Sequence, residues 1–332
     1  MGIEALENKA EVEWWRSLPF AFTSCKVTSG HRPDGFRFYP HIVNIEADLL
    51  GKTVWACGEA FDPESAMTKA VAELLERAAL FTWKTQTNNP TVSSNGWAAH
   101  SSMEAARHAA SLELIERDAA LAQWYTATPF LEIPLEELPT TVRQWHETEL
   151  SRSEFPNLRI LVSTMGLGPS VTCLFTNDEG FGVSSHSTRL TLQESIESAI
   201  GEGCRAAHMA LRKSFWRETL ALRDSDMTVV GPGAHSVYYA YHEPFPTWMF
   251  GECVGWTRID HDWNKRIQST LESKMRFETV LNSPVVVGFA AYELAFPLIW
   301  GSTKKENILN MTASKRFAVQ RTEWNLKPHI IS

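Results

Sequence analysis

Two short segments of the chain repeat one acidic pattern. Residues 73–77 read ELLER and residues 113–117 read ELIER. In each segment a second glutamate follows at i+3 and an arginine at i+4, so on a helix the three side chains share one face. A further glutamate stands in a later segment with helical periodicity. The residues concerned are Glu73, Glu76, Arg77, Glu113, Glu116, Arg117 and Glu202. Carboxylates gathered from several helices could bind a hard divalent cation.

Three amphipathic segments must position these acids. They predict helices from Asp62 to about Trp83, from Ser101 to about Tyr125 and from Thr191 to about Arg212. The first residue of each range is the predicted N-cap. In the second and third helices a glutamate at capping-box spacing supports that assignment. These two glutamates are Glu104 and Glu194.

The first glutamates of the two motifs and Glu202 lie at matching depths in these helices. Glu73 is eleven residues after its N-cap, Glu113 is twelve after its own, and Glu202 is eleven after its own. At 3.6 residues per turn, each stands about three turns into its helix. If the helices pack side by side, the acids therefore meet at one level.

Solvated helix surfaces are the alternative interpretation, in which each Glu-to-Arg contact contributes about 0.2–0.5 kcal/mol. Acids at one depth on three helices argue against it, since packing would gather five carboxylates and uncompensated buried charge costs several kcal/mol per ion. Mg²⁺ fits this ligand set, because it prefers oxygen and bridges protein carboxylates to nucleotide phosphates. There is no P-loop and no GxGxxG motif. The predicted metal ligands are Glu73, Glu76, Glu113, Glu116 and Glu202.

Short runs rich in Val, Ile and Phe alternate with the helices and predict β-strands. These runs cover residues 41–45, 52–57, 158–165, 171–176 and 284–292. The interleaving predicts an α/β fold with helices packed on mixed β-sheets. We expect an N-terminal arm over 1–24 and a single domain over 25–332. A weaker helical pattern covers 262–280, while 130–155 and 230–260 are typical of irregular connections.

Composition excludes several classes of protein. The formal net charge of −8 and the lack of long Lys/Arg runs argue against nucleic-acid binding. Five cysteines stand singly, which favours buried thiols in a reducing compartment over disulfides. The N-terminus does not resemble a signal peptide, and no apolar run reaches the roughly 18 residues of a membrane span. We therefore predict a cytoplasmic protein with no membrane attachment.

Three segments together resemble the YcaO superfamily. Residues 94–124, SNGWAAHSSMEAARHAASLELIERDAALAQW, resemble its SNG turn followed by a helix with an ExxER motif and an Asp. Residues 57–78, CGEAFDPESAMTKAVAELLERA, resemble its earlier ExxER helix. Residues 180–207, GFGVSSHSTRLTLQESIESAIGEGCRAA, resemble its third element, a turn followed by a helix with a glutamate. The resemblance covers about residues 25–215.

The resemblance implies a YcaO-type ATP-binding fold in which acidic side chains hold Mg²⁺ ions that carry the triphosphate. Carried over by position, the implied ATP and Mg²⁺ ligands are Glu73, Glu76, Glu113, Glu116, Arg117, Glu202, Ser101 and Arg205. The two implied catalytic residues are Arg117 and Glu116, with Arg117 orienting phosphates or carboxylates.

The resemblance also implies a reaction and partners. YcaO proteins activate backbone amides of a ribosomally made precursor peptide. In azoline-forming members a Cys, Ser or Thr side chain adds to the preceding carbonyl, ATP phosphorylates the oxyanion, and loss of phosphate leaves a thiazoline or oxazoline ring. We expect a bacteriocin-type synthetase with a separate leader-peptide-binding protein, since no such module fits ahead of the first motif. A flavin-dependent azoline dehydrogenase is a further expected partner.

Several positions depart from the family pattern. Ala105 stands where the family has a ligand glutamate, and His100 replaces a glycine. Arg205 and Ala207 replace a Gln and an Arg, and the C-terminal LKPHIIS contains only Pro328 of a PxPxP tail. Two alternatives therefore stay open. One is the same amide activation with external sulfur or an amine, giving a thioamide or an amidine. The other is a catalytically silent nucleotide-binding scaffold.

Overall fold

The chain is described by a computed structural model. The described residues are 14–331 apart from 32–33, 88–93, 212–237, 242, 273–274, 284, 299–304, 318–323, 326 and 328. The strands are β1 (Phe22–His31), β2 (His41–Leu49), β3 (Lys52–Ala60), β4 (Trp97–His100), β5 (Phe130–Ile133), β6 (Asn157–Ser163), β7 (Ser170–Thr176), β8 (Gly182–Ser187), β9 (Phe250–Cys253), β10 (Arg276–Asn282) and β11 (Val286–Ala291). The helices are α1 (Pro63–Thr87), α2 (Met103–Tyr125), α3 (Thr140–Thr148), α4 (Leu192–Leu211), α5 (Trp256–Leu271) and α6 (Lys305–Asn310).

These strands form three sheets. Their strand orders are β1-β2-β3, β10-β11-β4 and β8-β7-β6-β5-β9. Neighbouring strands are antiparallel except β5 and β9, which are parallel. Each sheet has two edge strands, and β3, β4 and β8 are each an edge strand of a different sheet. The predicted α/β fold with mixed sheets is confirmed.

The helices cover the sheets and place the core between them. Helix α1 packs on β2 and β3, α2 packs on β4 and β11, and α4 packs on β7 and β8. The approach of α1 to β3 is close: a Cβ on Gly58 would lie 1.9 Å from the Ala66 carbonyl oxygen. Only glycine allows this contact. One face of the first sheet thus buries Ile45 and Ala47 against the helix.

The predicted N-caps of α1 and α4 are confirmed. The Asp62 carboxylate accepts the Ser65 N–H at 2.8 Å. Thr191 and Glu194 form the reciprocal capping box, with both hydrogen bonds at 3.2 Å. The prediction for α2 is wrong by one residue, because Ser102 is the N-cap and its hydroxyl accepts the Ala105 N–H. Strand β4 continues to His100 in register with β11, and this pairing delays the helix.

Two regions fold differently from their sequence patterns. The weak helical pattern of 262–280 divides into α5, which begins earlier, and β10. Antiparallel pairing of β10 with β11 overrides the helical periodicity of that second part. The stretch 130–155 contains β5 and α3, and 250–253 forms β9. The division into an arm and one domain stays a prediction, and β1 begins at Phe22.

The cysteines lie in three environments. Cys173 and Cys204 are buried, Cys25 and Cys57 are partly buried, and Cys253 is exposed, so the prediction of buried thiols is wrong for Cys253. None of the five forms a disulfide. Among the helices of the described ranges, none combines the length and apolar character needed to cross a bilayer.

Candidate functional site

With Ser102 as the N-cap of α2, the first glutamates of the cluster lie equally far from the N-caps of their three helices. Counted from Ser102, Glu113 lies eleven residues into its helix, the same distance as Glu73 from Asp62 and Glu202 from Thr191. The capping groups of α1 and α4 are the ones predicted. The three glutamates therefore stand at one level, about three turns into each helix.

The two motif glutamates of α1 each accept a backbone N–H from an edge strand. Glu73 accepts the Cys57 N–H of β3 at 2.6 Å, and its other oxygen is 2.6 Å from Nη2 of Arg77. One turn later, Glu76 accepts the Ala99 N–H of β4 at 2.9 Å. Helix α1 therefore spans the space between the open edges of two sheets.

Helix α2 makes the equivalent contact with the third sheet. Glu116 accepts the Thr188 N–H at 3.1 Å, one residue beyond the end of β8. Its side chain is only 4% exposed. Unpaired N–H groups at sheet edges need acceptors in the interior. These contacts explain how carboxylates are accommodated inside the fold and hold them in fixed positions.

Burial and mutual repulsion raise the pKa of three glutamates of the cluster. Burial raises the pKa of Glu113 to about 7; Arg117 opposes this shift, and the charge of Glu202 adds to it. Burial also raises the pKa of Glu116, and burial together with Glu113 raises the pKa of Glu76 well above its ordinary value.

Glu73 shifts in the opposite direction. Burial alone would raise its pKa, but the charges of Arg77 and Arg205, together with hydrogen bonds from the Cys57 N–H and Arg77, outweigh burial and lower it. The cluster thus contains one well-neutralised carboxylate, Glu73, and three whose ionised form lacks full compensation. A bound cation would supply that compensation.

Three arginines approach these carboxylates without closing direct hydrogen bonds to them. Nε of Arg117 lies 3.5 Å from Glu116 Oε1 and 3.8 Å from Glu113 Oε1. Nε of Arg205 lies 3.8 Å from Oε1 of Glu59, a buried acid on β3. Nη1 of Arg189 lies 3.9 Å from Glu116 Oε2. The arginine N–H groups and the carboxylate oxygens of the cluster are therefore only partly hydrogen-bonded to one another.

The ligand chemistry fits Mg²⁺ carried by a nucleotide. All candidate ligands are carboxylate oxygens, which Mg²⁺ prefers. In the described part of the chain, no group of three or more His, Cys, Asp or Glu side chains is arranged to hold a metal by itself. Mg²⁺ commonly takes only one or two protein carboxylates and completes its shell with phosphate oxygens and water. The donor set fits such an ion.

Two other predicted ligands lie in different settings. Arg205 stands in the cluster, where its side chain approaches Glu59 and is influenced by Glu73 and Glu202. Ser101 is exposed at the end of β4, and its N–H donates to His100 Nδ1 at 2.9 Å. Within the described residues, no hydrogen bond joins Ser101 to the glutamates.

Sequence reasoning missed three charged residues of the site. Lys69 precedes Glu73 by one helical turn, and its Nζ donates to the Glu59 carbonyl at 2.9 Å. This spacing was a usable signal. Glu59 and Arg189 gave no comparable signal, because a strand residue and a loop residue reach the cluster only through the tertiary fold.

One protein family matches the chain. Its model is described as YcaO cyclodehydratase, ATP- and Mg²⁺-binding, and it matches residues 86–277, more than half of the 332 residues. This range includes Glu113, Glu116 and Glu202, whereas Glu73 and Glu76 precede it. No curated protein sequence matches the chain.

Solved structures resemble the chain in fold. A heterocyclase in complex with substrate and cofactor has 11% identity and a TM-score of 0.55, covering 80% of this chain but 49% of its own, so this chain spans about half that protein's length. YcaO from Methanopyrus kandleri, bound with AMPPCP and Mg²⁺, has 14% identity and a TM-score of 0.50, covering 81% and 84%. A chain of the E. coli microcin synthetase McbBCD complex with pro-MccB17 bound has 13% identity and a TM-score of 0.50, covering 80% and 86%.

Proposed function

This chain belongs to the YcaO family, and from that membership we propose that it uses ATP and Mg²⁺ to activate peptide backbone amides and form azoline rings. The rings arise from Cys, Ser or Thr residues of a ribosomally made precursor peptide. ATP and Mg²⁺ are the ligands by which the family is described. The heterocyclase with substrate and the synthetase chain with pro-MccB17 bound are the precedents for a peptide substrate.

The observation that carries this proposal is the convergence of glutamates from three helices at one level. Glu73 and Glu76 come from α1, Glu113 and Glu116 from α2, and Glu202 from α4. The charge of Glu202 acts on both acids of α2, so the third helix contributes to the same electrostatic cluster. A surplus of buried carboxylates beside loosely paired arginines suits a ligand that contains both divalent cations and phosphates.

One or two of the five glutamates would hold each Mg²⁺ ion, and Mg²⁺ bound there would neutralise the phosphates and the developing charge of the leaving phosphate. The chain itself chiefly provides positions. Backbone N–H groups of Cys57, Ala99 and Thr188 fix three carboxylates before ligand binds. Fixed charges need little reorganisation during reaction, which is the main electrostatic contribution of an enzyme. We assign Glu116 and Arg117 as the residues closest to this chemistry.

Partner proteins are part of the proposal. We assign recognition of the leader peptide to a separate protein and oxidation of azolines to a flavin-dependent dehydrogenase. A chain of the E. coli microcin synthetase McbBCD complex shares this fold, which supports the proposal of partner proteins. These partners would deliver the peptide to the glutamate cluster, where the amide is activated.

Mass spectrometry tests the reaction directly. The chain is incubated with ATP, Mg²⁺, a Cys- and Ser-rich precursor peptide and the candidate partner proteins. Azoline formation removes one water per ring, whereas thioamide formation exchanges one oxygen for sulfur. If the product gains sulfur, the reaction is thioamide formation and not ring formation. An unmodified peptide, with the partners tightly assembled on the chain, would contradict the enzymatic proposal.

A catalytically silent scaffold is the second candidate, and one position favours it. Ala105 lies in the first turn of α2, where the methyl side chain offers no ligand atom, and its N–H serves the N-cap Ser102. A scaffold would bind Mg·ATP without consuming it. Measuring nucleotide binding and phosphate release in the presence of peptide and partners separates the two candidates, because only the enzyme turns over.

A further inference from the structure

The link between β8 and α4 is held from three helices. The Thr188 N–H donates to Glu116 of α2 at 3.1 Å, and the Arg189 N–H donates to Oγ of Ser195 of α4 at 2.8 Å. On the other side, Nε1 of Trp263 of α5 donates to the Arg189 carbonyl at 3.1 Å. Trp263 is 1% exposed. The backbone at Arg189 therefore has one defined position next to the cluster.

The Arg189 guanidinium is anchored by neutral groups only. Nη1 donates to the Thr188 carbonyl at 3.0 Å and Nη2 to the Ser198 hydroxyl at 2.9 Å. The nearest carboxylate oxygen, on Glu116, is 3.9 Å away, beyond hydrogen-bond distance. The side chain is 40% exposed. Its positive charge thus faces the site without a hydrogen-bonded counter-ion among the described residues.

Other arginines of the fold form hydrogen-bonded ion pairs with a carboxylate. Three of them donate to one carboxylate through two nitrogens, at distances from 2.5 to 3.0 Å. These pairs are Arg77 with Glu73, Arg159 with Glu132 and Arg316 with Asp118. Arg189 has no such partner in the described part of the chain. Its planar fork retains N–H donors, and phosphate oxygens are the acceptors that such a fork suits.

We propose that Arg189 is a further anion-binding residue of this site, donating to the phosphates of the nucleotide, with Trp263 as its positioning residue. The inference rests on the proposed ATP site and extends it to a residue outside the three glutamate helices. Trp263 acts only through the Arg189 carbonyl, since its indole is buried in the core and donates its N–H there.

Equilibrium binding tests this without requiring turnover. Binding of AMPPCP with Mg²⁺ is measured by calorimetry for the full chain and for Arg189→Ala, Arg189→Lys and Trp263→Phe. Loss of charge-assisted hydrogen bonds should weaken binding about 10- to 100-fold in Arg189→Ala, with a smaller loss in Arg189→Lys, which keeps the charge but not the fork. Trp263→Phe keeps a ring and removes one neutral donor, so a loss of about two- to tenfold is expected.

Two controls separate positioning from general damage. Arg258 lies on α5, is 72% exposed and also has its nearest carboxylate at 3.9 Å, so Arg258→Ala should bind AMPPCP like the unmodified chain. If Trp263 acts through Arg189, Trp263→Phe should cause no further loss in the Arg189→Ala background. An additive loss in the double variant would overturn the positioning role.

The outcomes also distinguish this inference from the proposed function. If the unmodified chain binds AMPPCP with Mg²⁺ and Arg189→Ala binds equally well, the inference fails and the proposed function stands. If the unmodified chain does not bind it, both fail. Thermal unfolding of each variant shows whether reduced binding comes from a damaged fold, and Arg189→Lys provides the charge-preserving comparison if Arg189→Ala unfolds.

Discussion

Helix α2 carries two charged clusters that are paired in opposite ways. Asp118 is fully buried and accepts four hydrogen bonds of 2.6–2.9 Å, from the N–H groups of Leu167 and Phe296 and from both terminal nitrogens of Arg316. Arg117, the residue directly before Asp118, stands 3.5 Å from Glu116 and 3.8 Å from Glu113. Asp118 is saturated by the chain itself, whereas the glutamates are left with unused oxygens.

This difference separates structural from functional charge. A buried carboxylate with all lone pairs occupied has nothing to offer a ligand, and it joins distant parts of the chain to α2. Carboxylates with raised pKa values and incomplete pairing mark a site where a ligand completes the charge balance. The contrast predicts that variants in the two clusters will affect different properties, stability for Asp118 and nucleotide chemistry for the glutamates.

The largest effect on stability should come from Asp118→Ala. It leaves the Arg316 guanidinium, whose side chain is 16% exposed, without its partner and two backbone N–H groups without an acceptor. Breaking such a buried pair costs about 3–5 kcal/mol of unfolding free energy. Urea denaturation measures the change. Arg159→Ala, which removes a more exposed pair with Glu132, should cost less. If the Asp118→Ala chain is as stable as the unmodified one, Asp118 does not have the structural role that distinguishes it from the glutamates.

Glu116→Gln should retain the stability of the chain but lower its ATP consumption. The amide oxygen can still accept the Thr188 N–H, and removal of one charge relieves repulsion in the cluster, so stability should be retained. Loss of a metal ligand and of preorganised charge should lower ATP consumption in the peptide assay about 100-fold or more. Glu104→Gln is the control, because Glu104 is exposed in the first turn of the same helix. Normal ATP consumption by Glu116→Gln would contradict the site assignment.

His186 on the edge strand β8 provides a further test, since the charge of Arg117 acts on it. Burial lowers its pKa from 6.5 to about 3, and it contacts the Thr172 hydroxyl and the Ile330 carbonyl. The unfolded chain therefore binds a proton that the folded chain excludes between these two values. Stability should fall as pH drops from about 6.5 towards 3, by at most about 1.4 kcal/mol per pH unit from this group.

The measurement compares how steeply the unfolding free energy depends on pH, and not its absolute value. Unfolding free energies are determined from pH 4 to 8 for the unmodified chain and for His186→Asn. The variant should show a shallower dependence below about pH 6.5, since the other titrating groups are common to both chains. Equal slopes would show that His186 is protonated in the folded state.

The smallest expected effect concerns the register of α2. Ser102→Ala should destabilise the chain by about 1 kcal/mol, because the Ala105 N–H loses its acceptor. Ser101→Ala should change stability by less than about 0.5 kcal/mol, as is usual for exposed positions. Comparing the thermal unfolding of the two variants shows which of the two adjacent serines is the N-cap. The opposite ranking would restore Ser101 as the cap and place Glu113 one residue deeper than its counterparts.

Short-range rules predicted most of the elements that carry the site. Capping groups and the i+3 and i+4 spacing of Glu and Arg act within one or two helical turns, so they can be identified without the fold. The family pattern added the expectation of ATP and Mg²⁺. The same rules failed at Ser101 and at 276–282, because there a strand pairing with residues distant in sequence decided the local conformation.

The sequence by itself therefore determined which acids stand at one depth on three helices. Only the tertiary structure decided what they meet there: the open edges of three sheets, whose N–H groups hold Glu73, Glu76 and Glu116, and the guanidinium of Arg189 from a loop. It also decided that neighbouring Asp118 is saturated by Arg316, nearly two hundred residues later. Helix periodicity is a local property, whereas the partner of a buried charge depends on which distant segments the packed core brings together.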